Sequence, residues 1–259
     1  MRRGWGAPHF AAAYGLARRE WRRFFKDWIE LIGGPAATTA LYMGALLLAA
    51  ETDPMPMGAP LASFVAPGLI ALAVGYNAFL HPGFVIVYLK LEGGIGDELS
   101  APLSPLEIVF GHAAPAAAAG LVTGAAAALL LSPLAPIRVA DPLVTVAYLA
   151  GAGAMMAGLG TAVGVLSRGW DQFSAISGLI VLPLGFFSAV FFPLSELPPL
   201  VAGAMLYMPL HLAVDGTRSA MIGVSAVDPA IGLPALWAWV AVAWGFAWAT
   251  VRRAKPLRD

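Results

Sequence analysis

The 259-residue chain has no cysteine, only three lysines (Lys26, Lys90, Lys255), four histidines, and 12% charged residues in all. Without thiols there is no disulfide scaffold, no thiolate-bound iron–sulfur cluster and no cysteine-ligated zinc. The shortage of charge excludes more. Soluble domains carry about 25% charged residues, and half that share cannot coat a water-facing surface. An ordinary soluble enzyme and a disordered chain are both ruled out. Fifteen basic residues balance fifteen acidic ones, so no basic surface points to a nucleic-acid partner. No G-x-x-x-x-G-K-[ST] loop is present, and no lysine follows a glycine-rich phosphate cradle. The histidines, at 9, 81, 112 and 211, lack metal-ligand spacing.

What the chain has instead is long apolar runs, with 59% hydrophobic residues. A bilayer core takes roughly 20 apolar residues per helix. Six stretches fit: 31–51, 61–81, 111–131, 143–166, 174–192 and 233–251. Runs of Ala, Leu, Val and Gly without β-barrel alternation favour helices. The expected fold is an all-α integral membrane protein of six transmembrane helices, a single transmembrane domain over 1–259.

Thirteen of the fifteen basic residues fall on one predicted side. They are Arg2, Arg3, Arg18, Arg19, Arg22, Arg23, Lys26, Lys90, Arg168, Arg252, Arg253, Lys255 and Arg258. Only Arg138 and Arg218 fall on the other. Lys and Arg bias loops toward the cytoplasm, so both termini are expected there.

Three segments between the spans carry information. Residues 1–30 form no signal peptide, because the apolar run starts only after Glu30. Tyr14, Ala17, Trp21, Phe24, Phe25 and Trp28 recur at helical spacing, opposite Arg18, Arg19, Arg22, Arg23 and Lys26. That pattern predicts an amphipathic helix in the headgroup plane, touching membrane lipids with its apolar side down. The segment 82–110 reads as a long cytoplasmic insertion. Gly93, Gly94 and Gly96 break structure, a short helix begins near Asp97, Glu98, Leu99, Ser100 and Ala101, and Pro102 ends it. A second helix is predicted from Ser104 as N-cap, with Pro105 at N1 and Glu107 at N3. The third segment, 193–224, is cut by Pro193, Pro198, Pro199 and Pro209 into apolar runs too short to cross. It predicts two short helices that dip into the outer leaflet and return, packed against protein.

Polar and aromatic candidates are few. Asn77 and His81 are the most polar residues of the second span, with a neighbouring helix or a bound molecule as partner. Phe186, Phe187, Phe191 and Phe192 cluster at the outer end of the fifth, as an interfacial belt or an exit gate. His211 and Asp215, four apart, are placed to pair, and Arg218 to pair with Asp215 or Glu196 near the outer surface. Gly120/Gly124 and Gly160/Gly164 allow close helix approach, read chiefly as packing within one subunit.

These segments resemble the permease subunit of type-2 ATP-binding-cassette exporters, in the branch of nodulation-factor, antibiotic-resistance and multidrug-type permeases. Phe64-Val65-Ala66-Pro67-Gly68-Leu69-Ile70 resembles that family's entry to the second span. Glu98-Leu99, Ala101-Pro102-Leu103-Ser104, Glu107 and Gly111 resemble its cytoplasmic segment. Phe192-Pro193-Leu194, Leu197-Pro198, Pro209-Leu210, Asp215 and Arg218 resemble its extracytoplasmic signature.

The resemblance implies a homodimeric export permease of the bacterial inner membrane. Two copies of a separate ATPase subunit would bind ATP and Mg, leaving no cofactor and no catalysis on this chain. It assigns ATPase docking to Asp97, Glu98, Leu99, Ser100, Ala101, Pro102, Leu103, Ser104, Pro105 and Glu107. A nearly charge-free membrane interior fits an amphipathic or hydrophobic cargo: a lipid, lipid-linked saccharide or drug. The possible gate or cargo contacts are Asn77, Phe187 and Phe191. The competing class, an ion-coupled secondary transporter, calls for carboxylates near the middle of a span and for inverted repeats, and the sequence has neither.

Overall fold

The computed structural model describes residues 10–50, 58–100 and 103–254. Among these, all regular structure is helical. The amphipathic α1 (Phe10–Lys26) leads through a π-turn (Ile29–Gly33) into α2 (Gly34–Ala49). Then come α3 (Leu61–Leu91), α4 (Ile95–Ser100), α5 (Pro105–Leu131), α6 (Pro142–Leu166) and α7 (Trp170–Phe186). A 3₁₀ turn (Leu194–Glu196), α8 (Pro199–Met205), α9 (Pro209–Ile222) and α10 (Pro229–Ala254) complete the chain.

Five segments are long and apolar enough to cross a membrane: Ile29–Ala49, α3, α5, α6 and α10. The helical pair α8–α9, the hairpin, is bent by 84° and has the length and composition of a sixth span when its two helices are taken together. The fifth expected span, 174–192, is shorter and earlier than the sequence indicated. Its helix, α7, stops at Phe186. Seventeen residues give about 26 Å, the short limit of a crossing.

Local chemistry explains most boundaries. Prolines start α5, α6, α8, α9 and α10, where a missing N–H costs nothing. Asp141 caps α6 by accepting from the Val144 amide at 3.0 Å. Gly223, at φ 74°, closes α9 in the left-handed conformation open to glycine.

One boundary corrects the sequence reading. The insertion expected at 82–110 begins ten residues later, because Pro82 lies inside α3 and the helix continues to Leu91. Val85, Ile86 and Val87 are buried, and packing against neighbouring helices lets a span keep an internal proline. Lys90 secures the extension. Its ammonium donates to the carbonyls of Gly164, Val165 and Ser167 at 3.0, 2.5 and 2.7 Å, capping the end of α6.

α3 is the axis of the bundle, flanked by α5, α6 and α9. The glycine pairs set its neighbours' distance within one subunit. A Cβ on Gly160 would lie 2.0 Å from the Phe79 carbonyl oxygen, and one on Gly120 would lie 2.6 Å from that of Val74. Such backbone approach maximises van der Waals contact where no hydrophobic effect drives helices together. α1, α4, Lys90, Arg168 and the last turn of α10 share one end of the bundle. Arg138, α8 and α9 lie at the other, the hairpin end.

Candidate functional site

At the α1 end, the connection between α3 and α5 is compact. Gly93 turns the chain at φ 79°, a conformation disfavoured for side chains with a Cβ. α4 follows, and Ser104 then starts α5 with a complete capping box. The Glu107 amide donates to Ser104 Oγ at 3.3 Å, and the Ser104 amide donates to the Glu107 carboxylate at 2.5 Å. The helix predicted from Ser104 is thus the first turn of the third span, with no separate element between. Asp97, Leu99 and Ser100 belong to α4; Ala101 and Pro102 lie outside the described residues. Leu103 packs partly buried against the main core.

Glu98 fixes α4 in place. Only 8% exposed, its carboxylate accepts from Arg19 of α1 at 2.9 Å and meets His112 of α5 at 2.5 Å. Arg19 also bonds the buried Glu20 at 2.9 Å. Burial alone would push the Glu98 carboxyl up; the bond to His112, that ring's charge and Arg19 outweigh it and bring the group down to about 2. Three helices meet at one carboxylate. Sequence reading placed Glu98 and Arg19 in separate segments and missed Glu20 and His112, since partners 79 and 14 positions apart, on three different helices, carry no common pattern.

α1 docks differently from its apparent amphipathic register. Ala13, Leu16, Glu20 and Phe24 form its buried seam, and Leu16 lies over Gly111 of α5. Of the aromatic face read from sequence, Phe24 is buried and Trp21 is half-buried against it. Tyr14, Phe25 and Trp28 stay exposed. Arg18 and Arg22 are also exposed, whereas Arg23 stacks 4.9 Å from the centre of the Tyr88 ring.

Beside this junction lies a cleft of about 540 Å³, bounded by α1, the π-turn, α3 and the start of α7. Between Leu61 and Leu89, the exposed residues of α3 are Tyr76, Phe84 and Tyr88, all on this face. Trp170 adds a fourth ring, 5.2 Å from Phe84. Arg23, Asp27 and Glu30 ring the cleft with charge. Asn77 is a wall residue: its amide donates to the Leu31 carbonyl, while its oxygen and His81 Nε2 have no hydrogen-bond partner among the described residues.

At the hairpin end the predicted aromatic cluster is dispersed. Phe187 is exposed, Phe191 packs with Val190 and Val214, and Phe192 packs with Leu194 and Met205. Of the two partners expected for Arg218, Asp215 lies 3.8 Å away; the guanidinium is 1% exposed and gives its hydrogen bonds to backbone. Glu196 is exposed. His211 and Asp215 do not bond each other, each having a backbone partner instead.

The comparisons with known proteins agree with this arrangement. The family model described as ABC-2 type transporter matches residues 12–222, from α1 to the end of α9. The inner membrane transport permease YadH of Escherichia coli K12 is 23% identical over 253 residues, covering 97% of this chain and 98% of its own length. Nodulation protein J of Rhizobium leguminosarum bv. trifolii is 27% identical over 201 residues, covering 76% and 75%. That of Sinorhizobium fredii is 26% identical over 225 residues, covering 83% and 85%. With its helical bundle, its bent hairpin and a family match across four-fifths of its length, the chain is a multi-pass membrane protein that belongs to the ABC-2 type transporter family, as a transport subunit without catalysis of its own.

Proposed function

We propose that the chain is the permease of an ATP-driven exporter in a bacterial inner membrane. It acts as a homodimer with two copies of a separate ATPase that binds ATP and Mg. The α1 end faces the cytoplasm, in keeping with the thirteen Lys and Arg on that side. The observation that carries the reading is α4. This short helix lies at the end of the bundle where the charges collect, and Glu98 ties it to α1 and α5. A partner pushing on α4 would move both helices, together with α3 through the Gly93 turn.

The cargo is amphipathic or hydrophobic: a lipid, lipid-linked saccharide or drug. The cleft beside α1 supports this, since aromatic faces on α3 and a charged rim suit a molecule with an apolar body and a polar head. Asn77 stands in its wall; Phe187 and Phe191 stand at the opposite, exit end.

The test is purification of the tagged protein from its host in mild detergent, with mass spectrometry of what accompanies it. A nucleotide-binding subunit near one-to-one stoichiometry, lost on charge reversal of residues 97–107 while membrane insertion persists, is the expected result. A clean homodimer without ATPase, or transport that continues after nucleotide depletion, overturns the reading and favours an ion-coupled carrier.

A further inference from the structure

The hairpin end contains a second junction, built on other chemistry. His211, Asp215 and Arg218 lie at spacings of four and three, which puts them on one face of α9. All three are 2% exposed or less. Their partners are backbone groups, all but the Phe64 carbonyl in segments that are not helical. His211 Nδ1 lies 3.2 Å from the Ser188 carbonyl. Arg218 Nη2 donates to the Ala189 and Val190 carbonyls at 2.9 and 3.3 Å, and Nε donates to that of Phe64 at 3.0 Å. Asp215 accepts from the Ala226 and Val227 amides at 2.9 Å.

Three consecutive carbonyls past the end of α7 are therefore held by side chains of α9, in place of the hydrogen bonds a continuing helix would make. Non-helical backbone at membrane depth depends on such partners. The held segment is also strained. Ala189 sits at φ 56°, a left-handed conformation that alanine disfavours. Released from Arg218, residues 188–190 would gain by leaving this geometry. Arg218 further lies over the Phe64 ring at 3.8 Å, and Phe64 is in the first turn of α3. The far end of that same helix is the Gly93 turn into α4. About 40 Å of one continuous helix, from Phe64 to Leu91, links the two junctions.

We propose that His211 and Arg218 are positioning residues of the transport pathway: they hold the outer end of α7, around Ser188–Val190, in a closed setting that a shift of α3 at Phe64 releases. The inference rests on the transport reading above, but its test needs neither ATPase nor cargo. The chain has no cysteine, so an introduced thiol is unique. Ser188→Cys places it at a residue with no exposed surface, and Leu236→Cys does the same in α10, away from the clamp. Each is combined with Arg218→Gln, Arg218→Lys or His211→Gln. The proteins are reconstituted in lipid nanodiscs and labelled with a charged maleimide, which reaches both membrane faces there.

Arg218→Gln should speed labelling at 188 by roughly tenfold or more, as expected when hydrogen bonds from a charged group are lost. Arg218→Lys should restore much of the protection, and His211→Gln should give a smaller rise. Position 236 should stay protected throughout. Unchanged labelling at 188 in folded variants overturns the proposal. So does equal acceleration at 236, which would mean that the bundle had merely loosened. If Arg218→Gln does not accumulate, His211→Gln, which leaves Arg218 in place, decides by the same two readings. A failed co-purification with an ATPase would count against the transport reading and leave the labelling result standing.

Discussion

The Glu98 junction at one end of the molecule and the Arg218 junction at the other bury polar groups in opposite ways. At the α1 end, side chains bond side chains: Arg19, Glu98 and His112 link three helices that each keep their own backbone bonds. At the hairpin end, side chains bond backbone, and His211, Asp215 and Arg218 stand in for hydrogen bonds that irregular segments cannot make. Breaking the first junction leaves every helix intact and only loosens how the helices meet. Breaking the second leaves orphaned carbonyls and amides at membrane depth. The first is a joint between finished parts; the second is part of what lets its segments exist.

The sharpest way to break that contrast is Arg218→Ala. It strips partners from three backbone carbonyls and leaves the buried Asp215 without its cation. Removing one member of a buried pair costs about 3–5 kcal/mol. The variant should therefore accumulate poorly, with a broadened and earlier thermal transition in detergent, read by size exclusion after heating. A midpoint matching wild type would mean that the hairpin end is no more demanding than the other.

A milder effect is expected from Glu98→Gln. Hydrogen bonds to charged groups contribute about 1.5–3 kcal/mol, so the midpoint should fall while expression and monodispersity persist. Acid sharpens this test. The folded-state value of Glu98, about 2, lies below its ordinary 4.5, so its pairing contributes fully above pH 4.5 and is lost as pH falls toward 2. The stability gap between wild type and Glu98→Gln should narrow over that window. A constant gap would show that the carboxylate's charge does not hold α4.

The smallest change is Ser104→Ala. Losing one half of the capping box costs about 1 kcal/mol. Faster amide exchange confined to the first turn of α5 is the expected readout. Loss of the Glu98 junction as well would show that α4 and the start of α5 fold as one unit.

Much of this was legible in the chain because it depends on local chemistry. Ser104, Pro105 and Glu107 announce a helix start whatever lies around them, and Pro193, Pro198, Pro199 and Pro209 forbid a straight crossing after the fifth apolar run. The reach of α3 was not legible for the opposite reason: a proline such as Pro82 ends a helix in water but not inside a bundle that satisfies its neighbours. The aromatic stripe of α1 misled similarly. Tyr14, Phe25 and Trp28 are the more apolar in composition, yet the seam runs through Leu16, Glu20 and Phe24, because Gly111 opens a place for Leu16 on α5.

By itself, the sequence determined a helical membrane protein, the side on which its charges collect and most of the positions where helices start and stop. Each of these follows from apolar run length, residue counts or contacts within a few residues. Only the tertiary structure decided that Glu98 belongs with Arg19 and His112, and that Arg218 lies buried under Phe64 and the end of α7. The partners in those contacts lie between 14 and 154 positions apart. Separations of that size leave no periodicity to read, and only the packing of α1, α5 and α9 around α3 brings the groups within bonding distance.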